Sequence, residues 1–530
     1  MRTQCSQEPF EFHPLNQRQV VGRFDGGAMT TDAGGLLLRE VEKRTGIIER
    51  FAACFRDHRV PEQVEHTVRE LVAQRVYGLA LGYEDLNDHD QLRADPLLAV
   101  LAEKPDPTGQ TRARERDRGK ALAGKSTLNR LELTQAVVEE KERYKKIALD
   151  QEAVDRLWVE LFIEAHAEPP AEIILDLDAT DDPVHGQQEG RFFHGYYGHY
   201  CYLPLYIFCG EHLLCARLRP SNIDASEGCR EEVERIVAQI RQAWPGVKIT
   251  RRGDAGFCPE ELMAWCEENQ VDYVLGLAKN ERLKAEIVSE QEQAAAAYGQ
   301  TGKPARVFKE FVYPTRESWS RARRVIAKAE HLEQGSNPRF VVTSLTAEAW
   351  EARRLYEQLY CARGEMENRI QEQLMLFADR TSTAFLHSHQ IRLDYSSAAY
   401  LLVKALRRLG LKATELARAQ SATIRLKVRK IGALIRITVR KVGVSLAGGS
   451  LRGTVCPRSS RASGAPAAVL SDAARIHPDG QAKIFTAGSV TTSIGKSLPI
   501  NPKSANRATR DPKESKNSDP HQPSGLEISF

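Results

Sequence analysis

The sequence predicts an α/β protein: a mixed sheet with helices against it, preceded by a helical region and interrupted by a β-rich insertion. Three observations carry that expectation. Residues 171–206 read AEIILDLDATDDPVHGQQEGRFFHGYYGHYCYLPLY, where Ile173, Leu175 and Leu177 alternate with Ile174, Asp176 and Asp178, the period of two that marks a strand. Thr180, Asp181, Asp182 and Pro183 stop the strand, Gly186, Gly190 and Gly195 make a turn, and a second apolar run begins at Tyr200, so the unit reads as a hairpin of core strands. Downstream, strands and helices alternate, as in a layered fold. Finally, roughly 110 residues separate Asp254 from Glu367, too many for a simple loop, and they carry strand-like runs.

Each element follows in order. Residues 1–16 read as a polar, flexible arm, VVGRF as a short strand, and Thr31 and Asp32 as caps for a helix beginning near Gly35. Helical spacing continues past Pro61 to about residue 104. The stretch KPDPTGQTRARERDRGKALAGKST then reads as a basic loop, either a solvated linker or a phosphate-contacting segment. Residues 127–166 are helical by spacing and complete a mainly helical, DNA-binding region over 17–166. Core strands are expected at 173–178, Cys201–Phe208 and His212–Leu218, then a helix in EGCREEVERIVAQIRQAWPG, a strand at Val247–Thr250, a helix in PEELMAWCEENQ and a strand in VDYVLGLA. These make the first part of the core, 167–280. The runs VFKEFVYP, RRVIAKAEH and RFVVTSL define a β-rich insertion at 281–346. Helices return in the second part of the core, 347–410. Ile424, Leu426 and Val428, then Ile435, Ile437 and Val439, alternate with basic residues, which reads as a basic β-hairpin in 411–448. The tail, 449–530, has few large apolar residues and is expected to be disordered.

Composition narrows the function. With 42% apolar residues over 530 positions, two or three cored domains are expected. The balance of 75 basic and 71 acidic residues announces no nucleic-acid partner by itself, so local charge must decide. Ten scattered cysteines without a CxxC pair argue against a zinc site or disulfide scaffold and for a reducing, cytoplasmic setting. No apolar run is long enough to cross a membrane, and the N-terminus lacks an apolar leader core.

Three carboxylates stand at ends or faces of core elements: Asp178, Asp254 just past a strand in RRGDAGF, and Glu367 on a helix. Tyr360, Arg363 and Glu367 are spaced three and four apart and share one helix face. Taken singly, the aspartates could cap a turn and the helix face could be a surface ion pair beside a half-buried Tyr. Taken together they suit two divalent cations about 4 Å apart, the arrangement that performs in-line displacement at phosphorus. Arg363 would hold a phosphate and Tyr360 a backbone hydrogen bond to DNA.

The blocks DLDATDDPVHG, RRGDAGF and YCARGEMENRI resemble those of the DDE transposases encoded by bacterial insertion sequences, closest to insertion-sequence family 1380, over residues 17–448. The Tyr360, Arg363, Glu367 pattern marks one branch of these enzymes. Matched by motif, the resemblance implies a catalytic and metal-binding triad of Asp178, Asp254 and Glu367, with Asp178 preferred to Asp176 because it lies two residues before Thr180. The Lys that often follows the Glu by seven residues is Leu374 here. The resemblance further implies an RNase H-like core, Mg²⁺ with Mn²⁺ able to substitute, and cut-and-paste transposition at terminal inverted repeats. It also implies terminal-repeat and target DNA as partners, a homodimer in the end-paired complex, and a bacterial cytoplasmic location, nucleoid-associated when bound to DNA. Related enzymes stabilise a flipped base on an aromatic side chain of the insertion. Trp319, flanked by Arg323 and Arg324, is the candidate here, with a core Trp as the alternative.

Other motifs carry less. Residues 119–126, GKALAGKS, satisfy the phosphate-loop pattern, but the preceding RARERDR has no strand character, so nucleotide binding is not expected. His185, His194 and His199 lack regular ligand spacing. A two-metal nuclease that never joins strands, or a DNA-binding repressor that has lost its metal, would share most of these features.

Overall fold

The computed structural model describes residues 9–135, 137–138 and 142–447; the tail beyond 447 and the first part of the expected arm lie outside the described residues. The organising element is a sheet of nine strands among the described residues. Eight lie on one path: β1 Glu172–Ala179, β2 Leu205–Cys209, β3 His212–Arg217, β4 Lys248–Gly253, β5 Val271–Leu277, β6 Ala305–Tyr313, β7 Arg323–Leu332 and β8 Arg339–Thr343. Their order is β3-β2-β1-β4-β5-β8-β7-β6. Strands β1, β2 and β3 pair antiparallel, β4 runs parallel to both β1 and β5, and β8, β7 and β6 continue antiparallel from the β5 edge. The strand-like runs of the expected insertion therefore form, but they extend the central sheet. Local spacing revealed the strands; their partner, the free edge of β5, was a long-range choice.

One face of the sheet carries Ile173, Leu175, Leu177, Ile207 and Tyr273, packed with helices Gln151–Glu164, Cys229–Ala243 and Glu260–Glu268. These helices bury one apolar stripe each, as an amphipathic helix on a sheet must. Beyond β5 the opposite face, through Val274, Ile326 and Val341, meets a helical segment starting at Ala352. Ile174 packs there too, so Asp176 and Asp178, which share its face of β1, look toward that segment. The N-terminal helices Gly35–Thr45 and Val68–Leu81 enclose the long helix Leu386–Gly410, most of whose residues are buried. Among the described residues no helix is long and apolar enough to cross a membrane.

Four local expectations are corrected. Thr31 and Asp32 do not cap the first helix: its N-cap is Gly34, and Asp32 Oδ2 instead accepts a 2.6 Å hydrogen bond from Tyr83 Oη. From Phe10, part of the expected arm is a strand, paired as Phe10–Leu15 with Arg18–Gly22. Residues 127–166 are not one helix. Lys125–Glu132 is helical, the strand Ile147–Leu149 pairs with Phe55–Asp57, and Asp150 caps a new helix by accepting from Ala153 N at 3.1 Å. Finally, Ser421–Arg429 is helical, and the basic hairpin is Ala433–Ile437 with Val442–Leu446. The apparent alternation misled because Ile424, Val428 and Ile431 also fit a helical stripe: all three are buried, whereas Leu426 is 72% exposed.

Candidate active site

Strand β1 delivers Asp176 and Asp178 to one face two residues apart, and the fold treats them differently. Asp176 is consumed by Arg252 on β4. Arg252 Nε reaches Oδ1 at 2.5 Å and Nη2 reaches Oδ2 at 2.8 Å, while Nη1 donates to the Leu359 carbonyl at 2.6 Å. This bidentate pair is buried and ties the sheet to the helical segment. Asp178 lies one pleat further on. Its Oδ1 accepts from its neighbour, Ala179 N, at 3.0 Å, and its Oδ2 from Arg363 Nη1 at 3.2 Å. Burial, with Asp254 and Glu367 adding negative charge, pushes the Asp178 carboxyl up to about 6 against the pull of Arg363.

Asp254 follows the last residue of β4. Its Oδ1 accepts from Gly256 N at 2.8 Å, capping the turn Ala255–Phe257 and fixing the carboxylate at the strand end. The third acid comes from the helical segment. Ala352–Arg354 is α-helical, Leu355–Tyr360 opens into a π turn, Cys361–Arg363 tightens, and Gly364–Leu374 resumes the α-helix. Such π turns recur at functional sites. Glu367 Oε1 lies 3.9 Å from Arg363 Nη2, so Arg363 stands between Asp178 and Glu367.

Tyr360 also enters the site. Gly276, on β5, leaves the room it needs: a Cβ there would sit 2.7 Å from Tyr360 Oη and 2.8 Å from Ala255 N. Burial raises the Tyr360 hydroxyl, with Arg363 and then Asp254 acting on it. A cavity of about 580 Å³ opens beside these groups, lined by Asp254, Tyr360 and Arg363 and by Lys279 and Arg339. Lys279, Arg339, Arg252 and Gly276 were not singled out from sequence. Nothing local marked Lys279 or Arg339, since the sheet order brings them in, although Arg252 lies within the RRGDAGF block.

The structure thus brings together Asp178, Asp254, Tyr360, Arg363 and Glu367. The remaining three expected site residues do not line this cavity and are held in contacts within the fold. Arg323 is buried and bound by Glu267 at 2.7 Å and by Glu260, and Arg324 donates to the carbonyls of Leu345 at 2.9 Å and Trp350 at 2.8 Å. Trp319 is half-buried against the core, edge-on to Tyr313 and beneath the Arg323 guanidinium. An alternating basic run on a strand sends one guanidinium inward wherever a carboxylate awaits it, and Glu260 and Glu267 on the neighbouring helix do so.

The family described as transposase DDE domain group 1 matches residues 12–456. The chain belongs to this family. Among solved structures it is similar to a piggyBac transposase synaptic complex with hairpin DNA, at 13% identity and a TM-score of 0.35, over 71% of this chain and 74% of that one. No curated protein matches it. In this DDE transposase domain, the three acids offer the hard oxygen donors that a divalent cation takes, and their mutual repulsion at Asp178 is what such a cation relieves. Among the described residues no three His, Cys, Asp or Glu side chains already stand close enough to hold an ion. The donor set therefore fits a metal in its chemistry, with Arg363 meanwhile paired to Asp178.

Proposed function

We propose that the chain is the transposase of a bacterial insertion sequence, of the kind grouped as family 1380, acting by cut-and-paste on terminal inverted repeats. One observation carries the reading: three carboxylates from two parallel strands and a helix gather around Arg363 beside a cavity lined with cationic side chains. The order β3-β2-β1-β4-β5, antiparallel and then parallel, supports an RNase H-like core beneath that site.

Asp178, Asp254 and Glu367 would hold Mg²⁺, or Mn²⁺ in its place. Bound there, the metal supplies activation of an attacking water or 3′-hydroxyl and stabilisation of the leaving oxygen. The protein's own groups do the rest. Arg363 neutralises the acids and is placed to meet a phosphate once Asp178 turns to its other partner. Tyr360 offers its hydroxyl to the DNA backbone across Gly276, and Lys279 and Arg339 line the approach for phosphate oxygens. The expected partners are terminal-repeat and target DNA, held by a homodimer in the cytoplasm and at the nucleoid.

The test is a strand-transfer assay with Mg²⁺, a labelled duplex carrying a terminal repeat, and supercoiled plasmid. Label joined to plasmid is expected, and Asp254→Ala or Glu367→Ala should abolish cleavage while keeping end binding. Cleavage retained by both variants sinks the reading, and cleavage without joining reduces it to a nuclease.

A further inference from the structure

We infer that a cleft walled by Arg93, Arg112, Arg114, Arg116, Lys120 and Arg130 binds the phosphodiester backbone of duplex DNA, as an outer hold on a molecule whose reacting phosphate lies at Asp178, Asp254 and Glu367. The inference rests on the DNA-acting reading above and assigns where, away from the acids, the duplex is gripped.

The cleft encloses about 450 Å³. Its six cationic side chains face three acids, Glu65, Asp90 and Asp117. Glu65 is taken by Arg112 at 2.5 Å, Asp117 is shared at 3.6 Å by Arg93 and at 3.9 Å by Arg116, and Asp90 turns to Lys125 at 3.5 Å. Positive charge is left over, and Arg114 makes no ion pair among the described residues. A surplus of this kind, facing a concave wall, attracts a polyanion.

The wall is built, not draped. Asp106 clamps its first turn, accepting from Thr108 N at 2.9 Å and from Thr111 N at 2.8 Å. Arg112 Nη1 donates to the carbonyls of Lys120 and Leu122, and buried Gln74 holds both the N–H and the carbonyl of Ala123. The basic stretch read from sequence as linker or phosphate contact is thus braced in place, which lowers the ordering cost of binding.

A second, independent feature points to a ligand. His66 lines the cleft, is 5% exposed, and its Nε2 has no hydrogen-bond partner among the described residues. Lys104 Nζ lies 3.4 Å from its Nδ1, which makes Nδ1 the acceptor and leaves the proton on Nε2. A buried, unspent donor among arginines is satisfied by a phosphate oxygen.

The ligand is a strand rather than a nucleotide. No β-strand leads into GKALAGKS: a single tight turn, Glu115–Asp117, precedes it. The first amide of the following helix, Lys125 N, already donates to Asp90 Oδ1 at 3.2 Å, so a phosphate does not find that helix end open. The cleft also continues. Through Ser126 it joins a cavity reaching Arg380 and Ser382, and those two residues line the next cavity with Pro183, just beyond the end of β1. Polar cavities that share lining residues therefore lead from the arginines to Pro183, four residues past the end of β1.

The test uses the full chain in EDTA, so that binding is read without cleavage, with a fluorescent duplex titrated at several KCl concentrations. Arg114 and Arg116 are exposed, so Arg114→Ala/Arg116→Ala is expected to fold. It should bind about tenfold more weakly near physiological salt, with a salt slope smaller by about 2, since each phosphate contact contributes about 0.9 to that slope. A control of equal charge change, Lys303→Ala/Lys412→Ala, should match the wild type. Wild-type affinity and slope in the arginine variant overturn the proposal, as does an equal loss in the control. Retention of labelled ATP by the wild type that the arginine variant loses, with duplex binding unchanged, overturns it in favour of a nucleotide site. A wild type that binds no duplex at all removes the DNA-acting reading itself, so the two failures are distinct.

Discussion

Two aspartates on one face of β1 show how position within a strand becomes chemistry. Asp176 lies deeper, beside Arg252, and breaking a buried pair by removing one partner costs about 3–5 kcal/mol because the other charge is stranded. Arg252→Ala is therefore expected to lower the urea midpoint strongly. Asp178→Asn should change the midpoint little while abolishing strand cleavage, because Asp178 sits among repelling charges. Equal midpoints for the two variants would contradict this division of labour. Strand spacing alone saw two acids and only the motif match preferred Asp178; the partner that takes Asp176, Arg252, is 76 residues away. Gly276 is a second residue-scale constraint. Gly276→Ala would drive a methyl against Tyr360 Oη and the Ala255 amide, and forced overpacking of that sort costs about 1–3 kcal/mol. DNA cleavage is expected to fall further than stability does, which parallel melting and cleavage measurements would reveal.

At the scale of elements, the segment Ala352–Leu374 works because its far end is anchored. Glu372, five residues past Glu367, is buried and gathers Lys404, Arg407 Nη1 at 3.4 Å, Arg369 Nη1 at 3.3 Å and Ser421 N at 3.2 Å. These partners come from its own helix, from Leu386–Gly410 and from the helical turn at Ser421. Glu372→Ala strands Lys404 without a counter-charge while Arg407 keeps Glu211, at a cost of about 3–5 kcal/mol. Adding Lys404→Met should return part of that loss in urea unfolding, whereas independent, additive losses would show that the pair does not couple. The face of Tyr360, Arg363 and Glu367 was legible from spacing three and four apart. The anchor was not, because it is assembled from residues up to 49 positions away. The segment after Ile424 failed for the opposite reason: its local pattern satisfied two periods, and burial chose the helical one.

At the scale of the whole molecule, the strands and helices of the sheet were largely legible because each carries a one-sided apolar pattern. The continuation of the sheet past β5 was not, because edge pairing depends on what the rest of the chain leaves open. Burial of titratable groups fixes how pH acts on the fold. Asp182, just past β1, is buried, its Oδ1 has no hydrogen-bond partner among the described residues, and burial with Asp379 and Asp181 nearby pushes its carboxyl up to about 8. The native state therefore keeps a proton that the unfolded chain releases near pH 4, so this group's contribution is fully present below about pH 4 and is lost as pH rises toward 8. His66 and His89 act from the other side. Burial lowers each to about 3, so acidification below about 6.5 protonates the unfolded chain first and stability falls with pH. Stability is thus expected to peak between these limits. Asp182→Asn keeps the side-chain shape without a titrating proton. Its unfolding free energy relative to the wild type's, measured in urea from pH 5 to pH 8, should rise with pH, by up to about 1.4 kcal/mol per unit. Parallel curves for the two proteins would mean that Asp182 ionises in the folded chain as it does in water, and that the acids beyond β1 reach solvent.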